Sequence, residues 1–179
     1  QKKDTKYGVN FTDAEIINEN GEQVNFHYKR DKSGKLLQDV YSGDIFEIIL
    51  KKYFICPPTI MVKKEVYDQL SGYDEALSYE DFDFWVRSSR NWKYCYTDKV
   101  LVQKRKVKGS LGENQYKPKS VQMLSTYKVC EKAFSLCKNK KEHKALRKRI
   151  QYELKHALWL RNFSLVRNYL KLWTKSIIQ

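Results

Sequence analysis

Acidic and aromatic side chains crowd one stretch of the chain, Leu70 to Arg87, LSGYDEALSYEDFDFWVR. Ser78 has the residue type of a helix N-cap, and Asp81 stands three positions on, where a capping-box partner belongs. Phe82, Trp85 and Val86 then recur at i, i+3 and i+4, the stripe of a helix with one buried face. Asp83 and Arg87 are four apart and are expected to pair on the exposed side. Ser71-Gly72 is expected to end a preceding helix, with Gly72 taking positive φ. The helix dipole keeps a first-turn carboxylate ionised. Asp81 is therefore suited either to capping free backbone N–H groups or to accepting a proton.

The same residues resemble the acceptor-side motif of inverting family 2 glycosyltransferases, which have the GT-A fold. That motif ends a short helix in Gly, aromatic, Asp, Glu, here Gly72-Tyr73-Asp74-Glu75. Glu-Asp then opens the next helix, here Glu80-Asp81, followed by Trp85 and Arg87. The upstream segment Pro58 to Val66 looks like the strand and helix that precede the motif. The resemblance covers about Cys56 to Ser110. It implies that Asp81 is the general base that takes the acceptor hydroxyl's proton, a role typically worth about 10²–10⁴-fold. It also implies acceptor contacts for Glu80, Asp74, Glu75 and Trp85. For Asp74, Glu75 and Glu80 the alternative is a loop acid capping a helix end. For Trp85 the alternative is a core position, since it shares a face with Phe82.

Two departures from the family pattern stand out. Family members commonly carry Arg, a variable residue and His after the last strand, and then Gly-Ser. Here Lys104-Arg105-Lys106-Val107-Lys108-Gly109-Ser110 places Arg105 correctly but puts Val107 at the His position. Positive charge for a donor diphosphate would have to come from Arg105, Lys106 or Lys108. The family's Asp-x-Asp pair, which holds a divalent metal (Mn or Mg) on that diphosphate, has no counterpart after an apolar strand. Asp81-Phe82-Asp83 has the spacing but lies in a helix, where i and i+2 point about 200° apart. No metal is therefore expected on this chain, and the nucleotide-sugar-binding half is expected to lie outside it. The opening Gln1-Lys2-Lys3-Asp4 reads as the cut edge of a longer protein.

The expected fold class is α/β, a partial GT-A-type mixed sheet with helices, followed by about three amphipathic helices. Residues 1–112 are expected to form the acceptor-side half and 113–179 a basic helical extension. Tyr7 to Asn18 reads as a strand, with a turn at Glu19-Asn20-Gly21 and a second strand over Val24 to Tyr28. Asp13, near the end of Phe11-Thr12-Asp13, is expected to be a strand or turn acid more than a metal ligand. Helices are expected at 44–52, with Asp44 as N-cap, at 64–70 and at 80–90. Phe54 to Pro58 is expected to be extended because of its prolines. Lys93–Tyr96 and Val100–Lys104 read as two strands joined by a turn at Thr97-Asp98, and Gly109 to Gly112 closes the unit. Ser120–Cys137, Lys141–Leu160 and Leu165–Ile178 carry helical apolar rows.

Charge divides the chain. Residues 1–100 hold 15 Lys or Arg against 17 Asp or Glu, net −2, and residues 101–179 hold 20 against four, net +16. Cys56, Cys95, Cys130 and Cys137 form no CxxC pair and lie away from the three histidines, which excludes the usual zinc spacings. Free thiols imply a reducing compartment. No apolar run approaches the length of a membrane span. Cytoplasmic location follows as the expectation, peripheral at the inner face of the cell membrane if the basic helices meet anionic lipid. The expected partners of the intact protein are a nucleotide-sugar donor and a polysaccharide or lipid-linked glycan acceptor. The alternative function is a non-catalytic basic helical module for nucleic acid or a membrane surface. Nucleic acid is the disfavoured partner, because Lys138 to Arg149 is not interleaved with aromatics on a strand platform.

Overall fold

The computed structural model describes residues 6–110, 115–118 and 120–178. The elements run β1 (Tyr7–Ile17), β2 (Gln23–Phe26), α1 (Phe46–Lys51), β3 (Met61–Val62), α2 (Lys64–Gln69), α3 (Glu80–Ser89), β4 (Lys93–Arg105), α4 (Val121–Leu136), α5 (Lys140–Trp159) and α6 (Phe163–Ile178). The described residues are mixed α/β, with a four-stranded sheet and six α-helices among them.

The sheet is built on β1. β4 runs parallel along one side of it. The other side is shared by two short antiparallel strands, β3 opposite Val9 and Asn10 and β2 opposite Glu15 to Ile17. Covered on both faces, β1 buries Val9, Phe11, Ala14 and Ile17, as a central strand must. At its start a Cβ on Gly8 would stand 2.6 Å from Val66 and 2.7 Å from the Trp92 ring, so only glycine lets α2 and Trp92 close on the strand. The far side of β4 meets one isolated bridge, Gly43 to Tyr94. Among the described residues no further strand pairs there, and Val100 and Leu101 are exposed.

Several local expectations are corrected. β4 is a single strand, not two. Thr97-Asp98-Lys99 forms a bulge between the Tyr96–Phe11 and Val100–Asp13 pairs. Pro57–Thr59 is a single 3-10 turn, because proline fits the first position of a helical turn, whose N–H needs no partner. Ser78 does not cap α3. Its N–H donates to Ser125 Oγ (2.9 Å), and the N-cap position falls to Tyr79, with no side-chain cap. Asp44 does support α1, accepting from Phe46 N–H at 3.1 Å. Gly72 takes φ +74° after α2.

The three C-terminal helices form where the apolar rows indicate. α5 and α6 are antiparallel: Asn162 N–H closes onto Ala157 at their turn, and Arg147 donates to the Ser176 carbonyl at the other end. The helical part is not a separate body. One apolar core runs from Val9 through Trp85 to Met123, Ile150 and Leu172. Arg90, just past α3, lies 4.1 Å over the Phe46 ring and pairs with Glu142 of α5 at 2.9 Å.

The tie that orients α3 is ionic. Asp83 is fully buried, not on the exposed side. It accepts from Arg87 Nε (2.6 Å) and Lys132 Nζ of α4 (2.8 Å). Arg87 also donates to the carbonyls of Leu70 and Gly72, both at 2.9 Å, and Lys132 to Asp74 at 2.6 Å. Asp83→Ala should cost about 3–5 kcal/mol in urea unfolding, because two cations lose their buried partner. Lys64→Ala, which removes the exposed pair with Asp68, should change stability by less than about 1 kcal/mol.

Candidate active site

Asp81 sits in the first turn of α3, next to Tyr53 from the segment after α1. Its Oδ2 accepts from the Tyr53 hydroxyl at 2.7 Å, and its Oδ1 from Phe82 N–H at 2.7 Å. The second bond satisfies one of the free amides of the helix start. Each carboxylate oxygen has a second lone pair, so Asp81 retains capacity to accept from a further hydroxyl.

Burial pushes the Asp81 pKa above its ordinary value. The Tyr53 hydroxyl and Phe82 N–H pull against that rise, Glu80 adds to it, and Lys104 opposes it. The net effect is a carboxylate of increased basicity. Tyr53 is itself held neutral, first by burial and then by the Asp81 charge. Its ring stacks on Tyr79 at 5.2 Å and leans on Trp85 at 4.6 Å. The indole of Trp85 fixes the angle from which Tyr53 reaches Asp81.

Beside this pair opens a cavity of about 460 Å³, lined by residues that include Lys51, Lys52, Tyr53, Tyr79, Tyr116, Lys148, Arg149 and Tyr152. It lies where the segment after α1 meets α5. Among the described residues no acid lines it.

The residues expected to form the site separate into those that meet it and those that do not. Glu80, beside Asp81, and Glu75 are both exposed. Asp74 is engaged by Lys132 and Ala76 N–H, and that lysine holds its pKa low. Trp85 has 0% exposure. It presents no surface to an acceptor, and its assignment as an acceptor contact is corrected to a core position. Arg105 donates to the carbonyls of Asn18 (3.1 Å) and Glu19 (2.8 Å), holding the β1–β2 turn. Lys108 N–H donates to Glu19 Oε1, while Lys106 and Lys108 line a shallow hollow with Asn18, Glu19 and Asn20. Arg105 is thus occupied by that turn.

The cation of β4 whose charge acts on Asp81 is Lys104. Strand parity could have found it. Gln103 and Arg105 face the Glu15 side, so Lys104 between them faces the other. Tyr53, Tyr116 and Arg149 carried no comparable sequence signal.

The divalent metal that the resemblance implies for a donor half does not fit the residues here. Asp83 is consumed by two cations, and Asp81, two residues back on the same helix, faces nearly the opposite way. Among the described residues no three His, Cys, Asp or Glu side chains could hold an ion together. Asp13 is buried and grips Arg30 Nε at 2.7 Å and the N–H groups of Ala14 and Tyr28, as a structural anchor. In comparisons with known proteins, no family model, no curated protein and no solved structure matches this chain.

Tyr53→Phe removes the hydroxyl that stabilises the charged form of Asp81 and keeps the ring. In a ¹³C-carboxylate NMR titration, Asp81 should titrate above the ordinary aspartate value, and higher still in Tyr53→Phe. A downward shift in the variant would show that Tyr53 does not stabilise the carboxylate.

Proposed function

We propose that this chain is the acceptor side of an inverting glycosyltransferase of the family 2, GT-A type, acting on a polysaccharide or lipid-linked glycan. The observation that carries this reading is Asp81, a partly desolvated carboxylate with raised pKa, aimed by Tyr53 and set beside a basic aromatic cavity. An acceptor hydroxyl donates its proton to Asp81 as its oxygen attacks the anomeric carbon from the face opposite the leaving nucleoside diphosphate. One C–O bond forms, one breaks, and the configuration inverts. Tyr53 orients the carboxylate and compensates its charge before attack. The nucleotide-sugar and its metal belong to a donor half outside this chain.

Asp81→Asn in the protein bearing both halves should lower turnover by about 10²-fold or more, with little change in thermal stability. Glu80→Gln should raise KM more than it lowers kcat. A near-normal kcat in Asp81→Asn would remove the reading.

A second reading adds to the first. At the α5–α6 turn Trp159 is 76% exposed and Phe163 71%, with Lys155, Arg161 and Arg167 near them in sequence and exposed. Arg161 holds φ +52°, a conformation usually left to glycine. No helix among the described residues is long and apolar enough to cross a membrane. This tip instead has the composition of an interfacial contact, apolar rings within a basic surround. Sedimentation with vesicles containing anionic lipid should retain the chain at low salt and release it at high salt, when screening shortens the reach of the charges. Trp159→Ala/Phe163→Ala should weaken retention, and equal retention by neutral vesicles would reject the contact.

A further inference from the structure

The cavity beside Asp81 has a chemistry of its own. Arg149 in its wall is only 6% exposed. Its Nη1 reaches Glu153 at 3.3 Å, while Nε and Nη2 have no hydrogen-bond partner among the described residues. Leaving such donors unmade costs stability, and a charged guanidinium costs more than a neutral group. Its plane lies 5.0 Å from the Phe82 ring, one residue from the proposed base. Lys148 on the rim is exposed, with no ion-pair or hydrogen-bond partner among the described residues. Lys52 on the opposite rim rests its ammonium 5.0 Å over the Tyr41 ring. Of the four cations that line the cavity Lys51 is held by Glu47, and the other three, with no acid in the lining among the described residues, define an anion site. The rings of Tyr53, Tyr79 and Tyr116 give it apolar walls, and its volume lies in the range of small-molecule sites.

We propose that this cavity binds a phosphate-bearing glycosyl acceptor. The phosphate is held by Arg149, Lys148 and Lys52, and the sugar ring lies against the tyrosines, with the Tyr53 ring between it and Asp81. The inference rests on the transferase reading and specifies its acceptor. Arg149 presents a planar fork that matches two phosphate oxygens, whereas the lysines contribute point charges. A terminal sugar phosphate and a lipid diphosphate share this chemistry.

Binding to the full chain can be read without turnover. ¹H–¹⁵N spectra of the labelled chain would be recorded with glucose 1-phosphate, inorganic pyrophosphate, farnesyl diphosphate, uridine diphosphate and glucose. The phosphorylated probes should shift amides at 115–116 and 148–152 saturably, and glucose should not. Lys148→Glu, on an exposed side chain, should weaken phosphate binding by about tenfold or more. Arg149→Lys should retain part of the affinity lost in Arg149→Gln. Lys138→Glu, in the separate hollow beside Trp92, should change nothing.

Tighter binding of farnesyl diphosphate than of pyrophosphate supports the site with a lipid-linked source, and tighter binding of glucose 1-phosphate supports it with a soluble sugar phosphate. Unchanged affinity in Lys148→Glu, or shifts outside the cavity, would overturn the inference. So would tighter binding of uridine diphosphate than of every other probe, since the cavity would then serve a donor. Loss of the transferase reading through an active Asp81→Asn enzyme would leave these binding results standing.

Discussion

Asp83 is the constraint on which the site depends. A carboxylate with no solvent exposure is costly unless paired, and here the pairing is what assembles the neighbourhood. Arg87 carries the charge to the carbonyls that end α2, and Lys132 carries it to Asp74 and α4. α3 therefore cannot rotate about its axis without stranding a buried ion. Positions i and i+2 of a helix face nearly opposite ways. Fixing Asp83 inward toward α4 thus turns Asp81 toward Tyr53, whose ring lines the cavity. The acid that does no chemistry decides where the proposed base points.

The C-terminal helices complete this arrangement. Arg149 and Tyr152 of α5 and Tyr116 before α4 form the wall opposite Tyr53 and Tyr79. Tyr116 also donates to the buried Glu153, whose pKa burial raises, and stacks on His156 at 4.0 Å. The basic part of the chain thus supplies much of the rim around an acidic centre that the first hundred residues supply alone. The division of charge along the sequence becomes a juxtaposition in the fold.

What the sequence disclosed followed from periodicity. The apolar rows of α3 to α6 repeat over three to five turns and place each helix within a few residues. The Asn20-Gly21 turn and the β1–β2 hairpin are equally local. What stayed hidden depends on contacts distant in sequence. Tyr53 meets Asp81 across 28 residues, and no spacing rule connects them. Asp83 and Arg87 pair as their spacing implies, but the side they face is set by Lys132, 49 residues away. Thr97-Asp98 has turn residues, yet β1 keeps the chain in one strand and the surplus becomes a bulge. Arg105 matched a motif position, but pleating turned it to the β1–β2 turn and left Lys104 on the side of Asp81. Trp85 was assigned both to the acceptor and to the core, and its complete burial decides for the core.

The margin of β4 beyond the Gly43 bridge, to which no strand among the described residues pairs, has a bearing on how such a chain behaves in solution. Past the bonds of Tyr94 to Gly43 and of Tyr96 to Ser42, no further strand among the described residues pairs with this side, and with Val100 and Leu101 exposed it is a template on which a second copy could add edge to edge. Lys99, Lys104 and Lys106 lie along this stretch, and a copy docked against it would bring like charges together. The strand thereby carries its own safeguard against self-association, one that works through repulsion and weakens as salt screens it. The same lysine whose charge acts on Asp81 thus also helps keep one molecule from another.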